Sequence, residues 1–118
     1  MRYILSIYNQ EFDSDRYQKS IEDLGLNSMQ SIALKHFSTG NIQRNKILIA
    51  LNTNWEYLLI DEPFSNLDKE GSIIVKKLLS NLKNQNKTVL FSTHNFIDIS
   101  DICDMSFEIK DGKFYSHD

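Results

Sequence analysis

The sequence has one proline and four glycines in 118 residues, too few chain breakers for long structureless linkers or a low-complexity segment. A single cysteine, Cys103, excludes an internal disulfide, and nothing here asks for an oxidising compartment. No apolar run approaches the roughly 20 residues that cross a bilayer as a helix. The longest, residues 47–51 and 57–60, have the length of buried core elements. Residues 1–8 carry one arginine and a few apolar side chains, too little for a secretory signal. The expectation is a soluble chain whose membrane role, if any, comes through a partner. Positive charge is not in excess either. A formal net charge of −3 argues against a nucleic-acid-binding surface.

What is present is an ordinary folding composition: 41% hydrophobic and 25% charged residues place the chain with folded domains rather than disordered tails. Its length is that of one domain or a piece of one. The first half reads as helices. Residues 13–24 place Tyr17, Ile21 and Leu24 on one stripe, with Gly25 positioned to end it. Residues 27–35 are expected to add a short helical piece. Behind the break at Phe37-Ser38-Thr39-Gly40, the residues Ile42, Ile47, Ala50 and Leu51 resume helical spacing.

From about Trp55 the texture changes. Residues 57–60 and 88–92 are short continuous apolar runs, as in buried parallel strands, and residues 69–83 between them form an amphipathic helix. A short helix is expected over residues 96–102. Asp111-Gly112 between residues 106–109 and 113–115 is a hairpin signal. The fold class is therefore α/β, divided into a helical part, residues 1–54, and an α/β part, residues 55–118.

Four short strings carry chemistry. In Tyr57-Leu58-Leu59-Ile60-Asp61-Glu62-Pro63 two carboxylates emerge at the C-terminal edge of a strand, where ligands of open α/β sheets bind. Taken alone, the run is equally a strand that ends in a solvated acidic turn. Phe64-Ser65-Asn66-Leu67-Asp68 follows it; in isolation this is a turn with Asp68 as the cap of the next helix. Upstream, Phe37-Ser38-Thr39-Gly40-Asn41-Ile42-Gln43-Arg44 sets a hydroxyl and a glycine at a helix start. That arrangement turns backbone N–H groups and the helix dipole toward an anion, or else is a simple cap. Phe91-Ser92-Thr93-His94-Asn95 places a histidine just past the second strand, a position that is often only structural. His36 and His117 have no such context.

In this order and spacing the four strings resemble the C-terminal half of an ATP-binding-cassette (ABC) ATPase. The likeness extends over nearly the whole chain. The acidic run is similar to the Walker B motif, and the resemblance implies that Asp61 holds Mg²⁺ while Glu62 orients and deprotonates the attacking water. Ser65-Asn66-Leu67-Asp68 resembles the D-loop, usually Ser-Ala-Leu-Asp. His94 stands where the family has its γ-phosphate-sensing H-loop histidine. The string at Ser38 resembles the signature Leu-Ser-Gly-Gly-Gln, with Thr39 in place of a glycine and Asn41 in place of the glutamine. Two cassettes of the family sandwich two ATPs head to tail. By that likeness Asp61, Glu62 and His94 belong to one ATP site, while Ser38, Thr39, Gly40 and Asn41 complete the opposite one.

The phosphate-binding loop G-x-x-x-x-G-K-[ST] does not occur among these residues. The resemblance therefore implies the C-terminal βαβ part of a P-loop NTPase core, preceded by a helical subdomain and incomplete without a phosphate-loop half. By the usual domain size, roughly the first 80 to 90 residues of a cassette would lie elsewhere. The implied partners are that half or a full cassette, a second cassette in a dimer, and transmembrane transporter subunits. The implied place is the cytoplasmic face of a membrane, or the matrix face of an inner mitochondrial membrane. Residues 61–71 further resemble haem-exporter-type cassettes of cytochrome c maturation. The competing expectation is a non-catalytic half-cassette that serves as a scaffold in a membrane complex. The coiled-coil chromosome-maintenance ATPases are disfavoured, because only 36 residues precede Phe37.

Overall fold

Local caps decide where the helices begin. In the computed structural model, which describes residues 1–83, 85, 87–95 and 99–117 (the side chain of residue 3 excepted), helix α1 spans Arg2–Ile7 and α2 spans Ser14–Asp23. Asp13 precedes α2, and its Oδ1 accepts the N–H groups of Asp15 and Arg16, both at 3.0 Å. Two donors that a helix start leaves unpaired are satisfied in this way. Gly25 at φ +65° follows the end of α2. Helix α3, Thr39–Asn52, is capped by Ser38, whose Oγ accepts the Asn41 N–H at 3.2 Å. Helix α4, Lys69–Lys83, is capped by Asp68, whose Oδ1 accepts the Gly71 N–H at 2.7 Å.

The helical piece expected at residues 27–35 is instead two single 3₁₀ turns, Asn27–Met29 and Leu34–His36. Of the helix expected at 96–102, residues 96–98 lie outside the described residues, and Ser100–Ile102 is a 3₁₀ turn.

Strands β1, Tyr57–Ile60, and β2, Thr88–Phe91, pair in parallel, with Tyr57 opposite Thr88 and Ile60 opposite Phe91; α4 connects them. Leu58, Ile60, Val89 and Phe91 pack inward against the core. The opposite face is bare: Tyr57, Leu59 and Leu90 are 70%, 73% and 61% exposed. This corrects the expectation of strands buried on both sides. A continuous apolar run suits burial on two faces, but the described part of this sheet is two strands wide and is covered on one face.

One core joins the helical part to the α/β part. Ile21 of α2, with Leu24 and Leu26 after it, meets Ile47 and Leu48 of α3 and Val75, Leu78, Leu79 and Leu82 of α4. Each such side chain contributes about 1.5–3 kcal/mol by leaving water. The segment after α3 is tied back by Gln10, which donates to the Asn54 carbonyl and accepts the Asn54 N–H at 2.8 Å. Arg16 also donates to Asn54 Oδ1 at 3.2 Å.

Strands β3, Phe107–Lys110, and β4, Lys113–Ser116, form an antiparallel hairpin, β3 lying one residue later than expected and β4 starting where expected and running one residue longer. Asp111 and Gly112 sit at φ +50° and +72°. Two successive positive φ values make the tight two-residue turn whose twist matches the flanking strands, and the Asp-Gly pair tolerates them. Among the described residues no helix is long and apolar enough to cross a membrane.

Candidate functional site

The strand β1 delivers Asp61 and Glu62 at its C-terminal edge, and the chain turns there: Glu62 sits at φ +47°. A left-handed conformation costs a residue with a side chain roughly 1–2 kcal/mol. Here both polar groups of the Glu62 backbone are held by side chains. Its N–H donates to Ser92 Oγ at 3.0 Å, and its carbonyl accepts from Gln43 Nε2 at 3.0 Å. The Ser92 hydroxyl in turn donates to Asp61 Oδ1 at 2.6 Å. One hydroxyl thus bridges the backbone of one acidic residue and the carboxylate of the other.

The Glu62 side chain is directed to the H-loop-like segment. Its Oε1 lies 3.3 Å from His94 Nε2, and the His94 ring is otherwise almost wholly in solvent. The two groups share a cleft of about 530 Å³ whose wall also includes Phe64, Ser65, Lys69 and Thr93. Lys76, on the same wall, is paired at 2.7 Å with Asp101, and that hydrogen bond holds the Asp101 carboxyl below its usual range. The cleft combines one carboxylate, one imidazole and lysine side chains at the end of a parallel sheet. That chemistry suits a polyanion and a water molecule placed beside a base.

The eight residues expected to form sites are distributed as follows. Glu62 and His94 come together in the cleft. Asp61 is adjacent but turned to Ser92 and does not line it. Ser38, Thr39, Gly40 and Asn41 form the start of α3 and do not line it either. Asn41 Nδ2 instead reaches Met29 Sδ at 3.4 Å. Asp68 is occupied as the cap of α4. Ser92 and Gln43 had no role assigned from sequence. A serine just past the second strand, level with the two acids across a parallel pair, was the available signal for Ser92.

A metal ion fits this site only as a shared guest. Among the described residues no three His, Cys, Asp or Glu side chains converge to hold one. Asp61 offers a single carboxylate with one oxygen engaged by Ser92. One carboxylate suits Mg²⁺, which keeps several waters and takes its remaining ligands from substrate phosphates.

No family model matches the chain. It is 33% identical over 97 residues to an ABC transporter ATP-binding protein of Listeria monocytogenes, a match that covers 82% of this chain and 36% of that protein. It is 32% identical over 94 residues to the ABC transporter ATP-binding protein YybJ of Bacillus subtilis, covering 80% and 43%. Its fold superposes with a TM-score of 0.73 on a solved metal-chelate type ABC transporter in an inward-facing conformation. That match has 26% identity and covers 92% of this chain and 45% of that one. The chain spans less than half the length of these curated relatives. Its homologues are ABC transporter ATP-binding proteins, and its α/β fold is that of part of their ATPase domain.

Proposed function

We propose that this chain is the part of an ABC-type ATPase that carries the Walker B, D-loop, H-loop and signature segments. It couples ATP hydrolysis to membrane transport once a phosphate-loop half is supplied. The observation that carries this reading is the placement of Glu62. Its backbone is fixed from two sides, and its carboxylate stands 3.3 Å from His94 at the end of a parallel strand pair. In that reading Glu62 takes the proton of the attacking water, and His94 holds the γ-phosphate end of the nucleotide. Asp61 would hold Mg²⁺, which when bound neutralises phosphate charge. Thr39 and Asn41 stand in the signature segment that would face the nucleotide of a second cassette. The membrane-facing partners are transporter subunits, with the chain peripheral on the cytoplasmic side. The narrower reading as a haem-exporter-type cassette is supported by the likeness of residues 61–71.

The test is hydrolysis of MgATP by the purified chain with and without a phosphate-loop half on a second polypeptide. Turnover is expected only in the mixture. Binding of MgATP by the chain alone is expected to be far weaker than micromolar, since micromolar affinity needs about 8 kcal/mol and the phosphate cradle is not in this sequence. A stable mixed complex without turnover would favour the scaffold reading instead.

A further inference from the structure

Besides the Ser65 N–H of its own loop, which its carbonyl accepts at 3.1 Å, the Glu62 backbone is held by two side chains from other elements. Gln43 lies four residues into α3 and is only 6% exposed. It spends its side-chain N–H on the Glu62 carbonyl at 3.0 Å. A buried amide is costly without a partner, so the bond fixes both ends. Ser92 lies one residue past β2, and its own N–H donates to the Ile60 carbonyl at 3.1 Å, extending the parallel ladder. That bond places its hydroxyl beside the two acids.

We propose that Gln43 and Ser92 are positioning residues: as a two-sided clamp on the Glu62 backbone, they set where its carboxylate stands. Each end of the clamp comes from a different element, α3 and the end of β2. The start of α3 is the Ser38-Thr39-Gly40 segment, so a displacement of that helix reaches Glu62 through one side chain. Neither residue touches the reacting atoms in this scheme. The consequence for rate rests on the function proposed above; the clamp itself does not.

Three variants separate the roles. Gln43→Met keeps the volume and burial but removes the donor. Ser92→Ala removes the hydroxyl, and Ser92→Thr retains it. In the complex with a phosphate-loop half, Gln43→Met and Ser92→Ala are expected to lower kcat on the order of 10- to 100-fold, the scale on which misplacement of a reacting group acts. KM for MgATP should stay within about threefold in Gln43→Met, whose side chain is bonded to the Glu62 carbonyl and not to Asp61. Ser92→Thr should recover most of the rate. Packing support alone would lower Tm and leave kcat unchanged below it. If Glu62→Gln stops hydrolysis while Gln43→Met and Ser92→Ala turn over normally, the positioning role is wrong and the proposed function stands. If Glu62→Gln hydrolyses normally, the proposed function fails, and a measurement on the chain alone decides the clamp. Amide hydrogen exchange at Glu62 is expected to quicken about tenfold in Ser92→Ala relative to Leu58 and Ile60, the scale of losing a hydrogen bond worth about 1.4 kcal/mol. Unchanged exchange would overturn the clamp.

Discussion

Gly40 lies directly against the carbonyl of Asn66: a β-carbon on Gly40 would stand 2.9 Å from that oxygen. The contact joins the start of α3 to the D-loop-like turn, whose Asn66 sits at φ +59°. The physical reason for glycine is thus a close approach of two backbones.

Gly40→Ala is therefore expected to destabilise the chain by about 1–3 kcal/mol, the usual cost of forcing an extra carbon into a packed contact. The atom in the way is main chain, which has no rotamer to yield. Urea denaturation of the two forms, with the midpoint falling at an unchanged slope, checks this. A midpoint within error of the parent would show that the turn at Asn66 moves aside at no cost.

The bare sheet face should govern solution behaviour. Tyr57, Leu59 and Leu90 together form an apolar patch on paired strands, and such patches drive association. The double variant Leu59→Thr, Leu90→Thr is expected to lower dye binding to exposed apolar surface and to suppress concentration-dependent light scattering. Both positions point away from the core, so the loss of stability should be under about 1 kcal/mol. Scattering that did not change would place the sticky surface elsewhere, the apolar side of the hairpin being the next place to look.

Cys103 gives a pH-dependent reporter. Burial pushes its thiol above the ordinary range; the negative charge of Asp104 adds to this, and Lys83 opposes it. Its Sγ donates to the Ile99 carbonyl at 3.5 Å. A raised folded pKa means that the folded chain holds the proton more tightly than the unfolded one. The related stability is full below the unfolded thiol pKa and is lost as pH rises through the folded value. Iodoacetamide should react slowly with the native chain at pH 8 and faster after denaturation. Equal rates in the two states would mean that Cys103 is not protected.

The sequence made the order of elements and their chemistry legible because both depend on local signals. The apolar stripe of α4 and the caps at Asp13, Ser38 and Asp68 can be read from a few adjacent residues, and so can the Asp111-Gly112 turn. The half-exposure of β1 and β2 could not be read, because an apolar run records the environment a strand is suited to, not the neighbours it has. The 3₁₀ turns at residues 27–36 likewise depend on how α2 and α3 are spaced by packing. Glu62 was identifiable from its place after a strand. Its partners Gln43 and Ser92 come from 19 and 30 residues away, and only the fold brings them to the carbonyl and the N–H of this one residue.

The adjacent carboxylates should behave differently when each loses its charge. Asp61 is bonded to the Ser92 hydroxyl, whereas Glu62 is directed to His94. In the complex with a phosphate-loop half, Glu62→Gln preserves shape and the backbone clamp but cannot accept a proton. It should reduce single-turnover hydrolysis by about 10²–10⁴-fold with nucleotide affinity nearly unchanged. Asp61→Asn should weaken MgATP binding as well, because Asp61 serves the bound ion in the ground state and the transition state alike. It should also weaken the hold on Ser92, whose hydroxyl exchanges a charged acceptor for a neutral one at an exposed site, a loss of about 1 kcal/mol or less. Asp61→Asn is thus expected to lower Tm where Glu62→Gln does not. If the site were only an acidic turn, both substitutions would act on stability alone and by similar small amounts. Nucleotide affinity, single-turnover rate and Tm measured on both variants distinguish these outcomes, and near-normal hydrolysis by Glu62→Gln would remove Glu62 from the chemistry.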